Sequence, residues 1–153
     1  MKDHVLKLLA QRGVLLQQIA EIVYYLQKPY CPKITVEDSL IVVNQVLEKR
    51  EVQYTIITGI ALDVLAEQGQ LPEPLQETMV KDHPLYGVDE VLAYSILNMY
   101  GSIAQTSFGY LDKQKIGIVG QLNQKDGKSV NTFLDDIVAA IAAAASAKVA
   151  HNG

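Results

Sequence analysis

Several carboxylates in this sequence interrupt or border apolar stretches, where acidic side chains are uncommon. They are Asp82, Asp89 with Glu90, Asp112, and Asp135 with Asp136, and Asp63 also lies in the middle of an apolar segment. Oxygen ligands without cysteine or paired histidine suit a hard cation such as Mg²⁺ or Mn²⁺ better than zinc. Helical bundles commonly build metal sites from carboxylates on facing helices. A divalent-metal site between helices is therefore one interpretation of the pattern.

Of the two adjacent aspartates near the C-terminus, helix capping could explain Asp135 but not Asp136. Thr132 with Asp135 matches a capping box, in which Asp135 would only help to satisfy backbone N–H groups. No helix cap requires Asp136, and its helix face carries no charge besides this pair. Asp136 is therefore the stronger candidate for a functional carboxylate.

The other carboxylates also have interpretations that need no function. Asp89 and Glu90 fall at the predicted start of a helix, where the helix dipole favours negative charge. Asp112 could form a surface ion pair with Lys113 or Lys115. The spacing of the carboxylates alone therefore leaves open whether they bind a metal ion.

The segment 131–146 that carries Asp135 and Asp136 predicts one helix that is apolar on nearly every face. Phenylalanine, leucine, isoleucine and valine lie on one side, and mostly alanine lies on the other. A helix that is apolar all round is usually buried, and small residues allow neighbouring backbones to approach closely. We therefore expect this helix at the centre of the fold, with at least one aspartate that needs a cation or hydrogen-bond donors.

The remaining segments position this helix, and they too have helical periodicity. No segment of useful length alternates between apolar and polar residues with a period of two. Helices are predicted over about 3–11, 14–27, 35–50, 51–67, 74–80 and 88–101, followed by broken helices over 103–122 and the C-terminal helix. Thr35 with Asp38 matches a capping box. The sequence predicts an all-α, single-domain bundle of about seven helices, residues 1–153, with the alanine-rich helix central.

Composition limits the class of protein. The chain has 153 residues, of which 49% are hydrophobic and 20% charged, as in a globular domain. Its formal net charge of −4 argues against a nucleic-acid partner. The single cysteine, Cys31, cannot form an internal disulfide. No signal peptide or apolar run of membrane-spanning length is evident. We expect a soluble protein of the reducing cytoplasm.

Three acidic segments resemble the motifs of the phosphatidylglycerophosphatase A family. They are GVDEVLA at 87–93, FGYLDKQK at 108–115 and FLDDIVAA at 133–140. The likeness extends over nearly the full chain. The segments KREVQ at 49–53 and LYGVDE at 85–90 are typical of the soluble YutG-like, or LtrC-like, subgroup.

The resemblance implies an activity and assigns roles to the motif residues. The family removes the terminal phosphate of phosphatidylglycerophosphate with Mg²⁺, a step of lipid metabolism that yields phosphatidylglycerol. The implied roles are metal ligands at Asp89, Glu90, Asp135 and Asp136, a general base or further ligand at Asp112, a phosphate-binding cation at Lys115, and a further acidic candidate at Asp82. Gly109 stands where the motif has arginine, and Ile116 stands where it has proline.

Two functional hypotheses follow. In the first, the protein is a Mg²⁺-dependent or Mn²⁺-dependent phosphatase of a phosphomonoester substrate of the phospholipid type, with at most peripheral membrane contact. In the second, it is a non-enzymatic, divalent-metal-binding oligomer with a structural or regulatory role, and its alanine face could be a subunit interface. We expect a homo-oligomer and no nucleic-acid partner in either case.

Overall fold

Nine α-helices form the part of the chain that this computed structural model describes, residues 1–152, which contains no strand. They are α1 (Lys2–Gln11), α2 (Leu16–Gln27), α3 (Val36–Val46), α4 (Arg50–Glu67), α5 (Leu75–Val80), α6 (Val88–Leu97), α7 (Ser102–Gln114), α8 (Gly117–Asn123) and α9 (Leu134–Asn152). The all-α prediction is confirmed. The count exceeds the predicted seven by two helices, α7 and α8, which form where the sequence predicts broken helices over 103–122.

Helix α9 lies at the centre of the bundle, as its composition predicts. Every residue from 134 to 147 is buried, and α9 contacts α2, α3, α4, α6, α7 and α8. The chain's own helices therefore cover the alanine face, and the interpretation of that face as a subunit interface is wrong. Oligomer formation itself stays a prediction.

The start of α9 packs closely against α4 at Gly59. A Cβ atom at this position would overlap Ile137 Cδ1 and would lie 3.3 Å from Phe133 Cβ. Only a residue without a side chain allows the two helices to approach this closely without rearrangement. Gly59 thereby brings the first turns of α9, which carry Asp135 and Asp136, against α4.

The Gly59→Ala variant is expected to be less stable than the wild type by about 1–3 kcal/mol, because overpacking a dense core forces neighbouring side chains to move. Gly109→Ala is the matched control, since a Cβ there meets no atom within 4 Å. An exposed helical glycine replaced by alanine should leave stability unchanged or raise it by up to about 1 kcal/mol. Urea unfolding measures both variants, and equal stabilities would contradict the close packing at Gly59.

Two local predictions about helix ends are also confirmed. Thr35 Oγ1 accepts a hydrogen bond from Asp38 N at 3.0 Å, and Asp38 Oδ2 accepts one from Thr35 N at 3.0 Å, so the capping box forms. The predicted break within 103–122 occurs at Lys115, whose backbone is left-handed with φ +49°.

Among the described residues, no helix has the length and apolarity needed to cross a lipid bilayer.

Candidate metal and active site

Helices α6, α7 and α9 bring carboxylates that are distant in sequence to one region of the molecule. Asp89 and Glu90 lie in the first turn of α6, and Asp135 and Asp136 lie in the first turn of α9. Asp112 lies near the end of α7. These three helices contact one another, and after burial the charges of Asp89 and Asp112 contribute to the raised pKa values of Glu90 and Asp136. Five of the site residues that the sequence predicted therefore lie on helices that contact one another.

Asp135 and Asp136 are 6% and 4% exposed. Burial, followed by the charge of Asp135, raises the pKa of Asp136 to about 10. A side-chain interaction with Asp89 raises the pKa of Asp136 further. Burial also raises the pKa of Asp135 to about 7, and the charge of Lys115 opposes this rise. Without another cation, Asp136 is protonated and Asp135 is partly protonated near neutral pH, and a divalent ion could replace these protons.

Lys115 supplies positive charge to this cluster. Its Nζ lies 3.4 Å from Asp112 Oδ1, and the two side chains are 32% and 36% exposed. The ion pair anticipated for Asp112 is therefore present, at the edge of the cluster. Burial, followed by the charge of Asp112, raises the pKa of Glu90. Asp112 therefore forms an ion pair with Lys115 and also belongs to the carboxylate cluster.

Asp82 borders the same region from the loop after α5. Its Oδ2 lies 3.6 Å from Lys125 Nζ, and its charge contributes to the raised pKa of Asp135. Asp82 and Lys115 are the non-glycine residues with left-handed backbone in the described part of the chain, with φ +50° and +49°. Such conformations cost about 1–3 kcal/mol and cluster at functional sites, so their presence at the carboxylate cluster favours a function there.

The capping box predicted from Thr132 and Asp135 is wrong. Thr132 Oγ1 donates to the Met79 carbonyl oxygen at 2.7 Å. The Asp135 N–H donates to the Asn131 carbonyl oxygen at 3.1 Å, and Asp135 Oδ1 accepts from Asp136 N at 2.7 Å. Thr132 serves a contact between α5 and the turn before α9, so capping by Thr132 does not explain the position of Asp135.

The cap of α9 comes from α4, and sequence reasoning assigned no such role to its residue. Asp63 is fully buried, and its two oxygens accept hydrogen bonds from Phe133 N at 3.0 Å and Leu134 N at 2.9 Å. Burial raises the pKa of Asp63 to about 7 against these two bonds. A lone carboxylate within the apolar middle of α4 was the available signal, but nothing local identified its partner.

The chemistry of the donors fits a hard divalent cation, although their present arrangement does not enclose one. All the candidate ligands offer carboxylate oxygens, and burial makes the ionised form of the buried ones unfavourable unless a cation is bound. Within residues 1–152, no three histidine, cysteine, aspartate or glutamate side chains converge closely enough to hold one ion. Binding would require the side chains, which already lie in one region, to turn toward a common point.

The buried aspartates do not line the wide groove on another side of the described chain. A groove of about 740 Å³ lies between α2 and α7, and only uncharged residues line it, among them Tyr25, Tyr30 and Tyr110. Beside the cluster, Asp82, Lys125 and Asp135 border a space of only about 10 Å³. We identify the candidate site by its carboxylates, because a large uncharged groove lacks groups for acid–base or metal chemistry.

In metal-free protein, the melting temperature is expected to fall as the pH rises from about 5 to 9. Asp63, Asp135 and Asp136 have folded pKa values above the ordinary value of 3.8. Across this range the folded state therefore binds more protons than the unfolded state, and raising the pH removes stability. Calorimetry in EDTA measures the trend. A melting temperature that is constant or rises with pH would contradict it.

An all-α bundle with a buried carboxylate cluster between three of its helices is the class of protein that the fold and the site define. The chain belongs to the phosphatidylglycerophosphatase A family, whose family model matches residues 5–151. The three segments that suggested this family supply the carboxylates of α6, α7 and α9.

Individual relatives confirm the predicted subgroup. Uncharacterized protein YutG of Bacillus subtilis (strain 168) is 57% identical over 142 residues, which are 93% of this chain and 86% of YutG. A solved structure of a protein of unknown function from Bacillus stearothermophilus is 55% identical with a TM-score of 0.97, covering 100% of this chain and 95% of that chain. The low temperature requirement C protein of Listeria monocytogenes is 51% identical with a TM-score of 0.96, covering 99% and 95%.

Proposed function

We propose that this protein is a Mg²⁺-dependent phosphatase of a phospholipid-type phosphomonoester, with phosphatidylglycerophosphate as the leading candidate. The observation that carries the proposal is the cluster of carboxylates on α6, α7 and α9, two of which are buried with raised pKa values. These carboxylates lie in the three segments that resemble the acidic motifs of the phosphatidylglycerophosphatase A family, whose family model matches residues 5–151. Fold and motif therefore support the same chemistry.

The proposed metal ligands are Asp89, Glu90, Asp135 and Asp136, with Asp82 as a further candidate. A bound Mg²⁺ or Mn²⁺ would neutralise phosphate charge and make a water molecule more acidic. The protein's part is to hold two of these carboxylates out of solvent, where their attraction for a cation is less screened than at a surface. Binding would release the protons that Asp136 and, in part, Asp135 hold near neutral pH.

Asp112 and Lys115 are the proposed residues for substrate chemistry. Asp112 would accept a proton from the attacking water as a general base, and its partial exposure allows water to reach it. The water oxygen would form the new bond to phosphorus and the bond from phosphorus to the ester oxygen would break. The leaving oxygen would take a proton from solvent, and Asp112 would return its proton to solvent. Lys115 would hold the phosphate as a point charge, exchanging its contact with Asp112 for one with the substrate.

A second candidate function is non-enzymatic binding of a divalent ion in a structural or regulatory role. Gly109 favours this alternative, because arginine contributes strongly to charge stabilisation in many phosphoryl-transfer enzymes. A metal site could persist in a chain that has lost this group. The two functions share their ligands and differ in turnover.

Phosphate release by purified protein separates the two functions. The substrates are phosphatidylglycerophosphate in detergent micelles and p-nitrophenyl phosphate, each with Mg²⁺, with Mn²⁺ or with EDTA. The phosphatase proposal predicts release that requires the divalent ion. Absence of release with every ion, together with a melting temperature raised by Mn²⁺, would instead support the non-enzymatic function. Absence of both effects would contradict both functions.

A further inference from the structure

The backbone turn that precedes α9 is held by two carboxylates from one face of α4. Asp63 accepts the Phe133 and Leu134 N–H groups at 3.0 and 2.9 Å. Glu67 lies one helical turn further along α4, and its Oε1 accepts the Val130 N–H at 2.8 Å. These three N–H groups thus find acceptors on another helix.

Further contacts keep this arrangement in place. Arg12 donates to both carboxylate oxygens of Glu67, at 2.6 and 2.9 Å, and to the Val130 carbonyl oxygen at 2.7 Å. Arg12 also donates to Asn131 Oδ1 at 2.9 Å. The guanidinium group of Arg12 is therefore used to hold this turn. It does not take the place of the motif arginine that is absent at position 109.

We infer that Asp63 is a positioning residue that sets the affinity of the candidate site for a divalent cation. Its hydrogen bonds end at Phe133 and Leu134, the residues immediately before Asp135 and Asp136. The first N–H groups of a helix have no partner within the helix, and a side-chain acceptor at that end keeps the first turn formed. The inference rests on the proposed function, because it assumes that Asp135 and Asp136 bind the cation.

Small displacements of this turn are sufficient to matter. Metal ligands must be held within about 0.5 Å of the productive geometry. Both hydrogen bonds of Asp63 go to backbone N–H groups, so it acts on the cluster through the backbone at the start of α9. Removing groups that orient metal ligands typically lowers metal affinity by about 10- to 100-fold. A carboxylate that only stabilised the fold would leave the affinity of the folded protein unchanged.

The test compares Mn²⁺ affinity, measured by isothermal titration calorimetry, in wild type, Asp63→Asn and Asp63→Ser. Each protein is titrated at a temperature where circular dichroism shows it fully folded. Thr35→Ala is the matched control, because it removes the cap of α3 at Asp38 N, and the recorded hydrogen bonds of Thr35 go to Asp38 and Ser39, far from the turn before α9 in sequence. We expect about a tenfold or greater loss of affinity in the Asp63 variants and an unchanged affinity in Thr35→Ala.

The outcomes distinguish failure of the inference from failure of the proposed function. Wild-type protein that binds no Mn²⁺ would refute the metal site and with it this inference. Wild-type binding that persists within about twofold in a folded Asp63 variant would overturn the inference alone. The serine variant retains one acceptor and supplies the measurement if the asparagine variant does not fold. An equal loss of Mn²⁺ affinity in Thr35→Ala would also overturn the inference. It would show that losing the cap of any helix lowers the affinity, so that Asp63 has no special effect.

Discussion

Replacing Asp136 by asparagine is expected to lower phosphate release by about 10²- to 10³-fold, the range seen when one preorganised charge-stabilising group is removed. Asp136 lies 4% exposed in the first turn of the central helix, and its pKa responds to Asp135, Asp89 and Asp112. It is thus the carboxylate that three others of the cluster influence directly. Neutralising it should weaken cation binding and reduce turnover with it.

The same substitution is expected to leave the metal-free protein as stable as wild type. Burial and the charge of Asp135 raise the pKa of Asp136 to about 10, so its side chain is protonated at neutral pH. Asparagine closely matches the shape of this neutral form. The melting temperature in EDTA should therefore not fall, whereas the increase produced by Mn²⁺ in wild type should disappear.

A control on the same helix separates the loss of a ligand from general damage to α9. Ser146 lies about three turns further along the helix, is fully buried, and donates to the Ala142 carbonyl oxygen at 2.8 Å. Ser146→Ala removes this bond at a distance from the carboxylates and should keep both turnover and the response to Mn²⁺. Turnover retained in Asp136→Asn would refute its assignment as a ligand.

Replacing Gly109 by arginine is expected to raise phosphate release at least about tenfold, since arginine can hold two phosphate oxygens at once. Position 109 lies three residues before Asp112 on α7, hence on the same helix face. It is exposed, and a Cβ atom there meets nothing within 4 Å. The substitution would restore the arginine of the family motif without disturbing the core.

Gly109→Gln is the control for this gain, because glutamine is a long polar side chain without charge. Steady-state phosphate release with Mg²⁺ is measured for both variants and the wild type. Only the arginine variant should exceed the wild type. Equal rates in all three proteins would show that position 109 does not face the phosphate, and that its glycine does not limit turnover.

The central position of α9 could be predicted because its composition leaves no face for solvent. Alanine and large apolar residues cover the surface of α9, so burial follows without knowledge of its partners. The same reasoning placed at least one of the two adjacent aspartates near the interior, and both Asp135 and Asp136 lie there. The cap at Thr35 was equally predictable, because both members of a capping box lie within four residues of sequence.

The hydrogen bonds that hold the start of α9 could not be predicted in this way, because they join segments that are distant in sequence. Asp63 bonds to residues 70 and 71 positions further along the chain. Thr132 has the spacing of a local cap, but its hydroxyl donates to the carbonyl oxygen of Met79 in α5 instead of capping α9. The left-handed backbone of Lys115 carries no sequence signal either, since such conformations are usually adopted by glycine. Local patterns thus predicted the helices and the carboxylates, and tertiary hydrogen bonds decided how these are held.

Anomalous diffraction from crystals grown with Mn²⁺ would locate the cation directly. We predict an anomalous peak between α6 and α9, within coordination distance of carboxylate oxygens from Asp89 and Asp136, and loss of this peak in Asp136→Asn crystals. Mn²⁺ bound only at carboxylates outside α6, α7 and α9, or absent from the cluster at saturating concentration, would contradict a divalent-metal phosphatase site in this protein.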